Sequence, residues 1–165
     1  MGRSTYIVAL GSNRAGRWGS PRATVAAALD RLGGLASPVV ESAPLGPSIR
    51  TFANAVTLIV SDETPPALLV RLKAMERAAG RRPGRRWGAR ALDCDIVLWS
   101  GGGWRSRGLT IPHPAFRARD FVLAPLATVA ACWRDPVTGL TVAQLRARLT
   151  RRRPAPRRAI RGEGP

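Results

Sequence analysis

"ALDCDIVLW", residues 91–99, is an apolar stretch that carries two carboxylates, Asp93 and Asp95. Its length and its apolar residues predict a buried β-strand. Side chains alternate across a strand, so the two acids share one face while Leu92, Cys94 and Ile96 share the other. The preceding residues 81–90, "RRPGRRWGAR", contain five arginines among glycine and proline, which predicts a loop. An acidic strand face therefore follows directly on an arginine-rich loop.

The stretches around this strand alternate between strand and helix patterns. Ser20 with Pro21 predicts a helix start that ends at Gly33, and Thr64 predicts a second start that ends at Gly80. Residues 100–108, "SGGGWRSRG", read as a turn-rich excursion, and residues 109–130 begin extended and turn helical. Strands are predicted at 4–13, 39–40, 52–60 and 91–99, and helices at 20–34, 64–80 and 141–150. The order is β-α-β-β-α-β with a C-terminal helical extension, which predicts an α+β, ferredoxin-like sandwich with helices packed on an antiparallel sheet.

Length and composition indicate one globular domain without a membrane span. The chain has 165 residues, 45% of them apolar, and no apolar run approaches the ~20 residues of a membrane helix. The two cysteines, Cys94 and Cys132, and the single histidine do not make a disulfide framework or a zinc site. No signal-peptide pattern opens the sequence, so we expect a cytoplasmic protein with reduced thiols.

The net charge of +17 raises the alternative of nucleic-acid binding. All basic residues except Lys73 are arginine, and residues 151–165 alone hold six arginines and one glutamate among prolines. We interpret 151–165 as a basic, disordered tail behind a body at 1–150. Ferredoxin-like sheets can bind RNA through exposed aromatic and basic side chains, but the exposed pair predicted on residues 91–99 is acidic.

Two carboxylates on one strand face, ~7 Å apart along the strand, raise each other's pKa unless a cation lies between them. A divalent ion is the natural occupant, and oxygen ligands beside phosphate favour Mg²⁺. Arginines on a Gly/Pro loop can bind phosphate oxygens bidentately. The pattern favours a nucleoside-triphosphate site, and the alternative is a solvated sheet face whose acids pair with nearby arginines.

Seven motifs, in order, resemble the 6-hydroxymethyl-7,8-dihydropterin pyrophosphokinase family of folate biosynthesis. They are "ALGSN" at 9–13, "PLGP" at 44–47, "FANAV" at 52–56, "ERAAGR" at 76–81, "RWGARALDCDIVL" at 86–98, "LTIPHP" at 109–114 and "RDFVLAPL" at 119–126. The resemblance implies an enzyme that moves the β,γ-diphosphate of ATP onto a pterin alcohol and releases AMP. It implies two Mg²⁺ ions, held by Asp93 and Asp95.

The resemblance also implies roles for individual residues. Catalytic roles fall on Arg81, Arg90, Asp93 and Asp95. ATP-binding roles fall on Glu76, Arg81, Arg86, Arg90, Ile96, Thr110, His113 and Arg119. Pterin-binding roles fall on Ser42, Pro44, Leu45, Phe52, Asn54, Trp87, Asp93 and Phe121. The stretch from Gly80 to Arg86 is one residue shorter than is usual in the family, so Arg82 and Arg85 receive no individual role.

Plainer interpretations stand beside several of these roles. Phe52 and Phe121 can be core residues, His113 a turn residue between two prolines, Arg119 a surface charge and Glu76 a helix-surface acid. A buried amide such as Asn54 needs a partner, because leaving it unpaired costs roughly 1–3 kcal/mol. A different Mg²⁺-dependent nucleotide transferase on the same fold is a further alternative. The expected partners are ATP and a reduced pterin alcohol, and we expect no membrane and no specific nucleic acid as partners. We expect the protein to be a monomer.

Overall fold

The computed structural model describes residues 2–42, 51–80 and 90–151 of the chain. The main sheet of these residues has five antiparallel strands: the path β2-β4-β1-β5, with β3 also paired to β4. In chain order the elements are β1 Ser4–Ser12, α1 Pro21–Leu32, β2 Leu35–Ala36, β3 Val40–Ser42, β4 Phe52–Ser61, α2 Pro65–Ala78, β5 Asp93–Trp99, β6 Trp104–Ser106, β7 Leu109–Ile111, a 3₁₀ turn Phe116–Ala118, α3 Asp120–Ala130 and α4 Val142–Thr150. The predicted α+β, ferredoxin-like order is confirmed.

The first two helices begin and end as the sequence predicts. The Ser20 hydroxyl accepts a hydrogen bond from the Ala23 N–H at 3.2 Å, and Gly33 ends α1 with a φ of 68°. The Thr64 hydroxyl accepts from the Ala67 N–H at 3.4 Å at the start of α2. These side chains satisfy N–H groups that have no partner within the helix. Both helices pack on the same face of the sheet, where they cover Val8, Leu10 and Cys94 among other buried residues.

The C-terminal extension covers the opposite face of the sheet, a placement that the strand order alone does not give. Leu123 and Leu126 of α3 and Leu145 of α4 are buried together with Ile7 and Val56 of the sheet. In the part of the chain that is described, helices therefore pack on both faces of the sheet.

Residues 100–108 are more regular than the sequence analysis expected. Trp104–Ser106 pairs with Leu109–Ile111 as a β-hairpin, although the glycines at 101–103 predicted only turns. The hairpin brings residues 109–113 alongside β5, where the His113 N–H donates to the Val97 carbonyl at 3.0 Å. The short strand β2 was also not predicted. No helix among the described ranges is long and apolar enough to cross a membrane.

Candidate active site

The two acidic residues lie on the edge strand β5, which pairs with β1, the strand that carries the first motif. Asp93 pairs with Gly11 and Asp95 pairs with Ala9 of β1. Their side chains are 29% and 36% exposed, whereas Cys94 between them is fully buried on the other face. The predicted alternation of side chains along β5 is confirmed. Both carboxylates lie on the face covered by α3.

Asn54 belongs to the same row of the sheet as Asp93. Gly11 of β1 pairs with Asn54 on one side and with Asp93 on the other. A Cβ atom on Gly11 would lie 3.4 Å from Asn54 Oδ1. Because glycine has no side chain, no side-chain atom lies between the Asn54 amide and the Asp93 carboxylate at this position of β1. Asn54 is 4% exposed, and its Nδ2 donates to Ser42 Oγ at 2.8 Å. The amide is therefore held in one orientation beside the acidic pair.

Arg90 lies at the start of this strand with its backbone and side chain both fixed. Its N–H donates to Asn13 Oδ1 at 2.8 Å, and its carbonyl accepts from the Asn13 N–H at 3.1 Å. Its Nη1 donates to Asp93 Oδ2 at 2.6 Å. A guanidinium group that is 31% exposed is thus held against one of the two carboxylates. The interpretation of the acids as partners of nearby arginines holds for Asp93.

The second carboxylate approaches a histidine. Asp95 Oδ2 lies 3.8 Å from His113 Nε2. His113 Nδ1 accepts from the Ala115 N–H at 3.2 Å, which leaves the proton of the neutral ring on Nε2. Burial lowers the pKa of His113 below 6.5; Asp95 and Asp93 oppose this effect, and Arg119 adds to it. His113 is a turn residue, as the plainer interpretation holds, because its ring accepts a hydrogen bond from the Ala115 backbone. Its Nε2–H also faces the acidic site.

Arg119 and Phe121 open α3 beside this histidine. The Arg119 guanidinium carbon lies 5.7 Å from the centre of the Phe121 ring. Phe121 is partly buried against the core cluster that α3 forms with the sheet. Phe52 begins β4 two residues before Asn54 and shares its face. Two half-buried aromatic side chains and a fixed amide therefore lie on the face that carries the carboxylates.

Glu76 is buried, so its interpretation as a helix-surface acid is wrong. It is 1% exposed, and its Oε1 accepts from the Cys94 N–H at 2.8 Å and from Lys73 Nζ at 2.6 Å. Lys73 Nζ also donates to the Cys94 carbonyl at 3.2 Å. The backbone of Cys94 therefore points away from β1 and towards α2.

Ile96 lies two residues after Cys94 on β5, so its side chain lies on the same face of the sheet. It pairs with Val8, two residues along from the Leu10–Cys94 pair. In an antiparallel ladder, alternate residues point their N–H and C=O the same way, so we expect those of Ile96 also to point outward. Ile96 as a whole residue is 2% exposed. Thr110 lies in β7, which packs beside β5.

Residues 7–131 match the family described as 7,8-dihydro-6-hydroxymethylpterin-pyrophosphokinase (HPPK). The chain belongs to this family. The family name and the names of the relatives describe diphosphate transfer to hydroxymethyldihydropterin, so this is a pyrophosphokinase family of folate biosynthesis.

Several relatives carry the name 2-amino-4-hydroxy-6-hydroxymethyldihydropteridine pyrophosphokinase. The protein of Synechocystis sp. is 38% identical over 63% of this chain and 53% of its own length. That of Pseudomonas aeruginosa is 40% identical over 78% of this chain and 82% of its own. That of Haemophilus influenzae is 36% identical over 77% of this chain and 82% of its own length. The chain thus spans about half of one relative and most of the other two.

Some HPPK residues predicted from the sequence lie outside the described ranges. They are Pro44, Leu45, Arg81, Arg86 and Trp87. Arg82 and Arg85, which received no individual role, also lie outside the described ranges. The predicted basic tail likewise lies outside from residue 152 onward. The described site residues Ser42, Asn54, Asp93, Asp95 and His113 lie on neighbouring strands or on the hairpin beside β5, and their functional roles stay predictions.

Sequence reasoning missed three residues whose hydrogen bonds fix parts of the candidate site. Asn13 fixes Arg90, and its signal was available as the polar end of "ALGSN". Lys73 fixes Cys94 together with Glu76, and its signal was its position three residues before Glu76 on one helix. Asp135 accepts hydrogen bonds from Arg117, which lies in the sequence between His113 and Arg119. Its signal was "DPVTG" at 135–139, a pattern typical of an acid whose side chain caps its own turn.

Proposed function

We propose that this chain transfers the β,γ-diphosphate of ATP to the hydroxymethyl oxygen of 6-hydroxymethyl-7,8-dihydropterin at the acidic end of β5. The observation that carries the proposal is the pair Asp93 and Asp95 on one partly exposed strand face, with Arg90 on one acid and His113 beside the other. The HPPK family match supports the same activity. The products would be AMP and the pterin diphosphate.

The donor set fits magnesium. Carboxylate oxygens are the ligands that Mg²⁺ prefers, and it commonly binds through one or two carboxylates together with substrate phosphates and water. Two carboxylates on one strand face, Asp93 and Asp95, fit such an arrangement. We propose that Asp93 and Asp95 hold two Mg²⁺ ions with ATP. Bound magnesium would supply charge neutralisation and polarisation of the phosphate oxygens.

The chain's own cations would bind the transferred group. Arg90 is oriented through Asn13 and Asp93, so its guanidinium is positioned before ATP arrives. His113 presents an Nε2–H donor, and Arg119 places a second guanidinium on the same side. Fixed donors of this kind stabilise charge that develops during phosphoryl transfer. Arg81 and Arg86 are proposed to add to this set.

The nucleotide base would be bound at the edge of β5. The N–H and C=O of Ile96, which we expect to point outward from β5, would offer one donor and one acceptor, a pattern that matches the edge of adenine. Thr110, on the neighbouring β7, is proposed to contact the nucleotide from the side of the hairpin. Glu76 is also in the predicted ATP set, and its contact with the nucleotide stays a prediction.

The pterin would lie between the aromatic side chains and the amide. Phe52 and Phe121 are proposed to hold its flat ring, since polar heterocycles are bound well between aromatic faces. Asn54 and Ser42 would bind the polar edge, because an amide provides both a donor and an acceptor. Pro44, Leu45 and Trp87 complete the proposed pocket.

In the proposed reaction the hydroxymethyl oxygen attacks the β-phosphorus in line. The bond from the β-phosphorus to the α,β-bridging oxygen breaks, AMP leaves with that electron pair, and the alcohol proton passes to solvent. No side chain is assigned as a general base. The catalytic contribution of Arg90 and the acids is positioning and charge stabilisation.

We further propose that residues 1–150 form the catalytic body and that the chain acts as a monomer in the cytoplasm. The burial of Val142 and Leu145 of α4 in one cluster with Leu123 and Leu126 of α3 supports a body that extends to residue 150. None of the proposed contacts requires a second copy of the chain.

The proposed activity is tested by incubating the purified chain with ATP, Mg²⁺ and the dihydropterin alcohol, and separating the nucleotides. AMP that forms only when the pterin is present is the expected result. Formation of ADP, or of AMP at the same rate without pterin, would contradict the proposal. Retention of RNA that survives removal of residues 152–165 and raised salt would instead favour the nucleic-acid alternative.

A further inference from the structure

An ion pair on helix α2 binds the backbone between the two carboxylates of β5. The Cys94 N–H belongs to the peptide group that joins Asp93 to Cys94, and it donates to Glu76 Oε1 at 2.8 Å. The Cys94 carbonyl belongs to the peptide group that joins Cys94 to Asp95, and it accepts from Lys73 Nζ at 3.2 Å. Glu76 therefore binds the peptide group next to Asp93, and Lys73 binds the peptide group next to Asp95.

The other edge of the same three residues is held by β1. Asp93 pairs with Gly11 and Asp95 pairs with Ala9, and these register positions are the hydrogen-bonded ones when Cys94 points outward. Strand edges ordinarily leave such groups to water. Here β1 fixes the backbone of the two acids and α2 fixes the residue between them. The stretch 93–95 is therefore constrained from both sides.

Stability is a weak explanation for this arrangement. Glu76 is 1% exposed and Lys73 is 35% exposed. Removing such a charge from water is costly, and an apolar pair of similar volume is often at least as stabilising. A buried carboxylate with a fixed partner is instead suited to holding a neighbouring group in one position. In metal sites, groups behind the ligands orient them and strongly affect metal affinity.

We propose that Glu76 and Lys73 are positioning residues that set the spacing and orientation of Asp93 and Asp95 by binding the two peptide groups of Cys94. The inference rests on the proposed magnesium-dependent function of the two acids. It assigns to Glu76 a role through the strand, and to Lys73 a role that the sequence analysis did not give it.

The test compares four full-length variants with the unaltered chain. Glu76→Ala removes the acceptor of the Cys94 N–H, and Glu76→Gln keeps an acceptor oxygen without the charge. Lys73→Met removes the donor to the Cys94 carbonyl and keeps the length of the side chain. Arg71→Ala, which breaks the Arg71–Glu63 ion pair on the surface of the same helix, is the matched control.

Two quantities are measured for each variant: the affinity for Mn²⁺ in the presence of a non-hydrolysable ATP analogue, by electron paramagnetic resonance, and kcat with KM for the pterin. Glu76→Ala and Lys73→Met should weaken Mn²⁺ binding by about tenfold or more and lower kcat, as loss of groups behind metal ligands does. KM for the pterin should stay within about twofold, Glu76→Gln should recover most of the affinity, and Arg71→Ala should match the unaltered chain.

Circular dichroism establishes that each variant folds. If Glu76→Ala does not fold, Lys73→Met and Glu76→Gln decide the question. A folded Lys73→Met that binds Mn²⁺ as the unaltered chain does would overturn the inference, and so would a folded Glu76→Gln as weak as Glu76→Ala. If the unaltered chain binds Mn²⁺ but forms no pterin-dependent AMP, the proposed function fails, while the comparison of Mn²⁺ affinities still judges the positioning role.

Discussion

Replacing Asp135 by asparagine should lower the free energy of unfolding by about 2 kcal/mol at neutral pH. Asp135 is fully buried, and its two oxygens accept from Arg117 Nε and Nη2 at 2.7 and 2.6 Å. The Thr138 hydroxyl donates to it at 2.6 Å, and the Val137 N–H donates at 3.2 Å. The carboxylate therefore anchors the 3₁₀ turn between His113 and Arg119.

The magnitude follows from the pKa of Asp135. Burial alone would raise this pKa, but the hydrogen bonds from Arg117, Thr138 and the Val137 N–H outweigh burial and lower it from 3.8 to about 2. A pKa difference of one corresponds to about 1.4 kcal/mol, so this lowering corresponds to about 2 kcal/mol of stability. Asparagine lacks the charge and presents an N–H₂ group where the carboxylate accepts.

The assay is urea unfolding of both proteins, followed by circular dichroism from about pH 7 down to about pH 2. Because the pKa of Asp135 is lower in the folded state, its contribution is complete above the unfolded value near 4 and disappears as pH falls through about 2. The difference in stability between wild type and Asp135→Asn should be constant above about pH 5 and shrink below about pH 4.

Asp120→Asn is the control, because Asp120 forms an exposed ion pair with Arg146 at 3.3 Å. Exposed pairs contribute about 0–1 kcal/mol, so this variant should stay close to wild type. Equal stabilities of Asp135→Asn and Asp120→Asn at neutral pH would refute the reasoning, and so would a difference from wild type that does not change with pH.

Three further predictions concern the proposed site. Asn54→Ala should weaken pterin binding by about tenfold or more, because the pterin edge loses a fixed hydrogen-bonding group; calorimetry with an ATP analogue present checks this, and unchanged affinity would contradict the pterin assignment. Arg90→Met should lower kcat by about 100-fold with little change in KM for the pterin; steady-state kinetics check this, and a kcat like that of wild type would remove Arg90 from the catalytic set. Chelation of divalent cations should abolish AMP formation and added Mg²⁺ should restore it; a rate that survives chelation would contradict a metal role for Asp93 and Asp95.

The sequence predicts local features well where one residue type has one structural use. Ser20, Thr64 and Gly33 mark helix ends because a hydroxyl satisfies free N–H groups and glycine adopts a positive φ. The alternation of Asp93 and Asp95 with buried neighbours follows from strand geometry alone.

Features that depend on distant contacts are not available from local patterns. The hairpin of β6 and β7 follows three glycines that favour turns, and its pairing depends on packing beside β5. The burial of Glu76 depends on α2 lying across the edge of β5, where the Cys94 N–H needs an acceptor. The covering of the second sheet face by α3 and α4 depends on which side the chain crosses after residue 113.

The central claim, that the acids of β5 form the catalytic site, is tested most directly by Asp95→Ala. The variant and an Asp62→Ala control, which removes an exposed carboxylate outside the site, are assayed for pterin-dependent AMP formation from ATP and Mg²⁺. Asp95→Ala should keep the circular dichroism spectrum of wild type and lose at least about 100-fold in rate, while Asp62→Ala keeps its rate. A folded Asp95→Ala that forms AMP as fast as wild type would contradict the account.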